Sequence, residues 1–421
     1  MFSKNHLFSY LFLICLFPGM FLSCGIVKSA DELLCLGMFV LLVMDVFENG
    51  WEALRRYKLL MAVLGLFLFY YLYSIVIRHS NTFGAITSDL VSEIKPYFMF
   101  ATVYGLKVKL LPRQRQMVKI AAIANVALCI VCIICWVQVK SVLGYLGSIG
   151  AIILLSGLSY IYCSVDEQGR LSRRDFWCSI IMVSFGLFCG RSKYFGEYVI
   201  FLAMMLWYKP GLFSNIKLKN VLYFLLIFIV VLALAWNKLY FYFVEGSNDI
   251  VNATTDDLSE MSDNFARPIL YAVGFLVFLD YFPFGSGLAS YASFASADPY
   301  SNLYYDYGVN YVYGLSPEFS DFICDAYYPT LAQFGVVGLL LFFGLWIYLF
   351  GYMRRLDRSQ SLLVRYPCIL ILMGIVFVLI ESIGSTFIIQ VSGMHMMIML
   401  AAICSAQHPQ ESLTEPTDEQ R

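Results

Sequence analysis

The sequence predicts an all-α polytopic membrane protein, with about twelve transmembrane helices and one large outer loop that contains short helices of its own. Three observations lead there. Of the 421 residues, 60% are hydrophobic and only 14% are charged, where a soluble domain would be roughly a quarter charged. The apolar residues come in runs of about 16 to 22, the length that crosses a bilayer as a helix. Positive charge gathers in alternate loops between those runs, the imprint of the positive-inside rule.

The expected spans are 7–24, 31–47, 59–77, 93–108, 118–137, 142–162, 176–190, 194–208, 220–237, 329–351, 366–384 and 386–404. With the N-terminus inside, RRYK (55–58), KVKLLPRQR (107–115), RLSRR (170–174), KPGLFSNIKLK (209–219) and RRLDRSQSLLVR (354–365) are cytoplasmic. Of 28 Lys and Arg residues, only Lys28, Arg78, Lys95, Lys140, Arg191, Lys193, Lys238 and Arg267 fall outside. Both termini are therefore expected in the cytoplasm. Residues 1–237 hold spans one to nine, 238–328 the outer loop, 329–404 spans ten to twelve, and 405–421 a polar tail expected to be disordered. The first run resembles a signal peptide, and FLSC (21–24) faintly resembles a lipoprotein cleavage box. A second apolar run follows at once, so the first is read as a span.

The net charge of −1 decides little, because placement of charge matters more than its sum in such chains. The twelve cysteines lie mostly in apolar runs, where the thiol behaves as a small apolar group. Cys129, Cys132 and Cys135 imitate a metal motif but occupy one apolar helix without a partner cluster, so they are read as packing residues. No G-x-x-x-x-G-K-[ST] stretch exists, so nucleotide hydrolysis is not expected. No nucleic-acid partner is expected either.

The outer loop divides into parts. EGSNDIVNATTDDLSEMSDN (245–264) is acidic and polar, a surface excursion. Residues 267–285 carry an apolar run of about a dozen residues, too short to span and suited to an interfacial or re-entrant helix. Asp263 or Asn264 would cap that helix, Pro268 suits its first turn, and Arg267 stands at its start. FGSGLAS (284–290) reads as a turn in preference to a phosphate loop. A segment rich in tyrosine follows, with Tyr291, Tyr300, Tyr304, Tyr305, Tyr307, Tyr311 and Tyr313. SPEFSDFICDAYY (316–328) predicts a short helix capped by Ser316, with Glu318, Asp321 and Asp325 on one face.

Three outer features converge chemically. Arg191, Lys193 and Arg267 are cations at headgroup level; an arginine at membrane depth is costly, about 2.5–3.5 kcal/mol, and its planar fork matches phosphate oxygens. It could also simply snorkel from a hairpin tip. The acidic face could tune one carboxylate as a base, or could be a solvated surface; Asp325 lies nearest the next span. Tyrosines suit sugar rings and membrane interfaces alike. A polyprenyl-diphosphate-linked glycan satisfies all three, with its lipid in the bilayer, its diphosphate at the cations, and its sugars at Tyr304, Tyr327 and Glu318.

The motifs LFCGRSKYFGEY (187–198), ARPILYAVGFLVFLDYFPFGSGLASY (266–291) and SDFICDAYYPTLAQFGVVGLLLFF (320–343) resemble, in order and spacing, the bacterial O-antigen polymerase and O-antigen ligase superfamily. The resemblance covers the C-terminal half. It implies a multi-pass protein of the bacterial inner membrane whose large loop is periplasmic. It implies that Arg191 and Arg267 bind the diphosphate of an undecaprenyl-linked donor, with Lys193 beside them, and that glycosyl transfer needs no metal or other cofactor. Asp325 would orient or deprotonate the acceptor hydroxyl, with Asp321 in reserve. Partners would be lipid-linked donor and acceptor glycans, the bilayer, and a chain-length regulator protein. The ligase branch has a histidine where this chain has Asp325. The chain's only histidines are His6, His79, His395 and His408, none in the outer loop. The expectation is therefore a polymerase of surface polysaccharide (O-antigen, capsule or exopolysaccharide), with a ligase or a lipid-linked oligosaccharide flippase as alternatives.

Overall fold

The computed structural model describes residues 3–22, 30–143, 146–214 and 266–411, with scattered positions between 222 and 240. The expected ninth span, the acidic excursion at 245–264 and most of the tail lie outside these. Among the described residues the regular structure is helical, with no strands and one isolated antiparallel bridge between Ala297 and Tyr300.

Four helices are long and apolar enough to cross a membrane: Lys58–Arg78, Pro112–Ile134, Gly335–Arg358 and Leu362–Glu381. Three shorter apolar helices join them, Lys4–Phe17, Ser148–Ser164 and Val391–Ala406. Gly335–Arg358 shows how such a helix is seated. Phe342, Trp346, Leu349, Met353 and Leu356 are buried at alternating spacings of four and three, while Leu340 and Ile347 on the opposite side are 68% and 71% exposed. Apolar residues on both faces are what a helix between protein and lipid requires. Residues 391 to 404 are buried nearly all round, so this helix occupies the centre.

Breaks in the helices are met by buried polar side chains. The first helix loosens into a π-turn at Cys15–Gly19, where Phe17 is non-helical. Asn125 donates to the freed carbonyl of Leu16 at 2.8 Å and to Ser156 Oγ at 3.2 Å. Helix Phe83–Leu106 starts well before the expected span 93–108. Its early charges point inward and find partners: Asp89 accepts from Ala289 N at 2.6 Å, Glu93 accepts from Tyr327 at 2.9 Å, and Lys95 pairs with Asp31.

Residues 266–334 form a packed cap, not an open loop. Helix Ala266–Asp280, as expected, carries Arg267 and Pro268 in its first turn, and buries Ile269, Leu270, Val273 and Val277 against Tyr291, Leu303, Val312, Leu315 and Ile323. The expected helix at 316–328 is a correction: the segment is a chain of turns. Phe319 N bonds Ser316, Phe322 N reaches back to Gly314 O, and Ile323 N and Asp325 N close four-residue turns. Gly314 has φ +84°, and the rings of Tyr313, Phe319 and Phe322 cluster over it. Ring packing outweighs helix propensity here, so the three carboxylates do not share a helical face.

Gly186 is the tightest contact near the hairpin that ends at Arg191. A Cβ there would lie 2.0 Å from Tyr194 Cζ, whose hydroxyl donates to Val183 O at 2.7 Å. Gly186→Ala should therefore cost about 1–3 kcal/mol, read as a lower thermal midpoint in detergent. Gly344→Ala, with nothing within 4 Å, should cost nothing. Equal midpoints for the two variants would contradict the packing described.

Candidate functional site

One hairpin approaches from the N-terminal half and three segments from the C-terminal half. The hairpin comes first. Helix Arg173–Ser184 tightens into a 3-10 turn at Phe185–Cys189, Gly190 takes a left-handed φ of +65°, and Arg191 is the extended cap of helix Ser192–Trp207. Glycine is needed at that reversal because a Cβ disfavours the left-handed region. The reversal places Arg191 and Lys193 at the tip.

Lys193 Nζ pairs with Glu381 Oε2 at the end of helix Arg365–Glu381. Ser385 Oγ donates to the same oxygen at 3.2 Å. Glu197, one turn below Lys193, is fully buried and feels Glu381, Lys193 and Arg191 as charged neighbours. Across from them, Arg267 Nη2 pairs with Asp325 Oδ2, the two side chains being 25% and 32% exposed. Gly384 backs the arginine: a Cβ there would stand 3.3 Å from Nη1 and 3.4 Å from Cζ. Tyr271 donates to Ile383 O at 2.9 Å, Tyr327 N to Ser382 O at 3.1 Å, and Tyr328 to Leu379 O at 2.7 Å. The cap and the 379–385 bend are thereby sewn together.

The two halves meet electrostatically. Burial pushes the Asp325 carboxyl above its ordinary range, while the Arg267, Lys193 and Arg191 charges pull it back. The structure thus brings Arg191, Lys193, Arg267 and Asp325, four of the residues expected from sequence, into one field. Asp321 and Glu318 are exposed nearby in sequence, and neither has an ion pair among the described residues. Tyr304 and Tyr327 need correcting. Tyr304 is fully buried, bonding Ser296 and Ala292 N at 2.8 Å each. Tyr327 is buried with its hydroxyl on Glu93. Neither offers a ring face to a sugar; Tyr304 ties the cap to itself, and Tyr327 holds the cap to helix Phe83–Leu106. Their polar ends found internal partners, which is the usual fate of a buried tyrosine.

FGSGLAS is a clasped turn. Its amides from Ser286 to Ser290 bond Ala332 O, Gln333 O, Ser74 Oγ, Asp89 Oδ2 and Gln333 Oε1 in succession. Gly285 has φ +82° and lies where a Cβ would meet backbone at 2.5 Å. No amide in that run is left to cradle a phosphate. Sequence reasoning missed Glu381, Gly384 and Ser385. Glu381 gave a signal, as a carboxylate at the end of an apolar run; the other two had none.

The site can hold an anion between cations next to a carboxylate of raised proton affinity. Lys193→Met should raise the pH at which Asp325 ionises, because it removes a charge that favours the carboxylate. Infrared titration with Asp325→Asn as blank reads this directly. An unmoved titration would mean that the hairpin does not reach Asp325.

No protein-family model matches this sequence, and no curated protein matches it.

Proposed function

We propose that this protein is a membrane glycosyltransferase that joins undecaprenyl-diphosphate-linked oligosaccharide repeat units into a surface polysaccharide. One observation carries the reading: Arg191, Lys193 and Arg267, distant in sequence, share one electrostatic field with Asp325. In this reading the chain spans the bacterial inner membrane about twelve times, with cytoplasmic termini and the cap in the periplasm. The charge asymmetry of the loops supports that orientation.

The cations bind the donor's diphosphate at headgroup level while its lipid stays in the bilayer. An acceptor sugar hydroxyl attacks the anomeric carbon of the donor's first sugar. The new C–O bond forms as the old one breaks, and the electron pair leaves with undecaprenyl diphosphate. Asp325 takes the hydroxyl proton. Arg191, Lys193 and Arg267 stabilise the charge growing on the leaving group. Diphosphate leaves readily, so holding the two sugars in line supplies much of the rate. Direct displacement inverts the anomeric centre. In this reading Asp321 and Glu318, both exposed, meet the acceptor sugars.

Arg191→Ala and Arg267→Ala should each lower polymer formation by about 10²-fold or more, with the protein still accumulating in the membrane. Arg267→Lys should fall between, keeping the charge but losing the fork. Glycan ladders from cells carrying each variant measure this. Wild-type chain lengths in both alanine variants would sink the assignment.

A further inference from the structure

Two cations of the site, Lys193 and Arg267, already hold a carboxylate. Arg267 is occupied by Asp325 and Lys193 by Glu381. The two pairs are not isolated from each other, because Asp325 feels Lys193 and Arg191 as well as its own partner. The carboxylates come from the cap and from the end of helix Arg365–Glu381, and the 379–385 bend carries both Glu381 and the glycine behind Arg267. A ligand with one phosphate could displace one carboxylate. A ligand with two could displace both.

We propose that Asp325 and Glu381 are resident counter-ions standing in the places that the donor's two phosphates take, so that a prenyl diphosphate opens the site and a prenyl monophosphate does not. The inference rests on the proposed function and deepens it. Donor binding then has two consequences. Arg267 turns to phosphate and frees Asp325 to receive the acceptor's proton. Lys193 turns to the other phosphate, and Glu381 keeps the hydrogen bond from Ser385 Oγ already present at 3.2 Å. Without donor, Asp325 remains bound to Arg267 and is not free to act as a base. Glu381 is thus a positioning residue and a selectivity residue. It also explains a lysine at the tip: a single mobile ammonium exchanges partners more readily than a bidentate guanidinium.

The test uses the full-length protein in detergent, titrated with undecaprenyl diphosphate and with undecaprenyl monophosphate and read by native mass spectrometry. Wild type should prefer the diphosphate by about tenfold or more. Glu381→Gln should bind both lipids more tightly, the monophosphate most, shrinking that preference about tenfold. A purely structural role for Glu381 would loosen binding, never tighten it. Asp325→Asn supplies a second reading and should also tighten binding while turnover is lost. Unchanged or weaker binding in both carboxylate variants, with Arg267→Ala still abolishing it, would overturn the counter-ion inference alone. Wild type that binds neither lipid, or Arg267→Ala that binds as wild type does, would overturn the proposed function with it.

Discussion

The Arg267–Asp325 ion pair is the contact on which the cap and its seat on the helices turn. It joins the start of the cap's first helix to the turns that lead back to the helices, across a part-buried boundary. Charges taken from water are costly unless paired, so the pair constrains everything that touches it. A side chain at Gly384 would crowd the guanidinium, its Cβ standing 3.3 Å from Nη1. Tyr271 and Tyr328 then tie the cap to Ile383 and Leu379. The hairpin tip is held to the same bend through Lys193 and Glu381.

A contrast with other acidic residues gives that pair its meaning. Asp357 accepts from Tyr208 and from the amides of Gly211, Phe213 and Ser214, all within 2.6 to 2.9 Å. Asp45 is held by Lys4, by Arg56 at 2.8 Å and by Tyr57 at 2.7 Å. These carboxylates are saturated by donors from neighbouring segments and have nothing left to give a ligand. Asp325 is different, because burial outweighs the cations that hold it and keeps its carboxyl above the ordinary range. Its surroundings are those of a group that changes partner or protonation state, and such groups cluster at functional sites.

Much of this was legible in the sequence, and the exceptions have physical causes. Long apolar runs yielded helices because their backbone must be satisfied internally. The hairpin at 190–193 and the helix starting near Arg267 were legible from a glycine, a proline and charges in apolar surroundings. The turns at 316–328 were not, because Gly314 and the Tyr313–Phe319–Phe322 rings act through tertiary packing that propensity does not record. Tyr304 and Tyr327 misled for a related reason: a tyrosine reads alike whether its hydroxyl meets a sugar or a buried carboxylate. Glu381 joined the site only when folding brought the last apolar helices beside residue 193.

The most direct test of the account removes this chain from its own host and examines surface and lipid-linked glycans by gel and mass analysis. Single repeat units in place of long chains are the predicted result. Full-length polymer stranded on undecaprenyl diphosphate, or repeat units trapped on the cytoplasmic face, would contradict it.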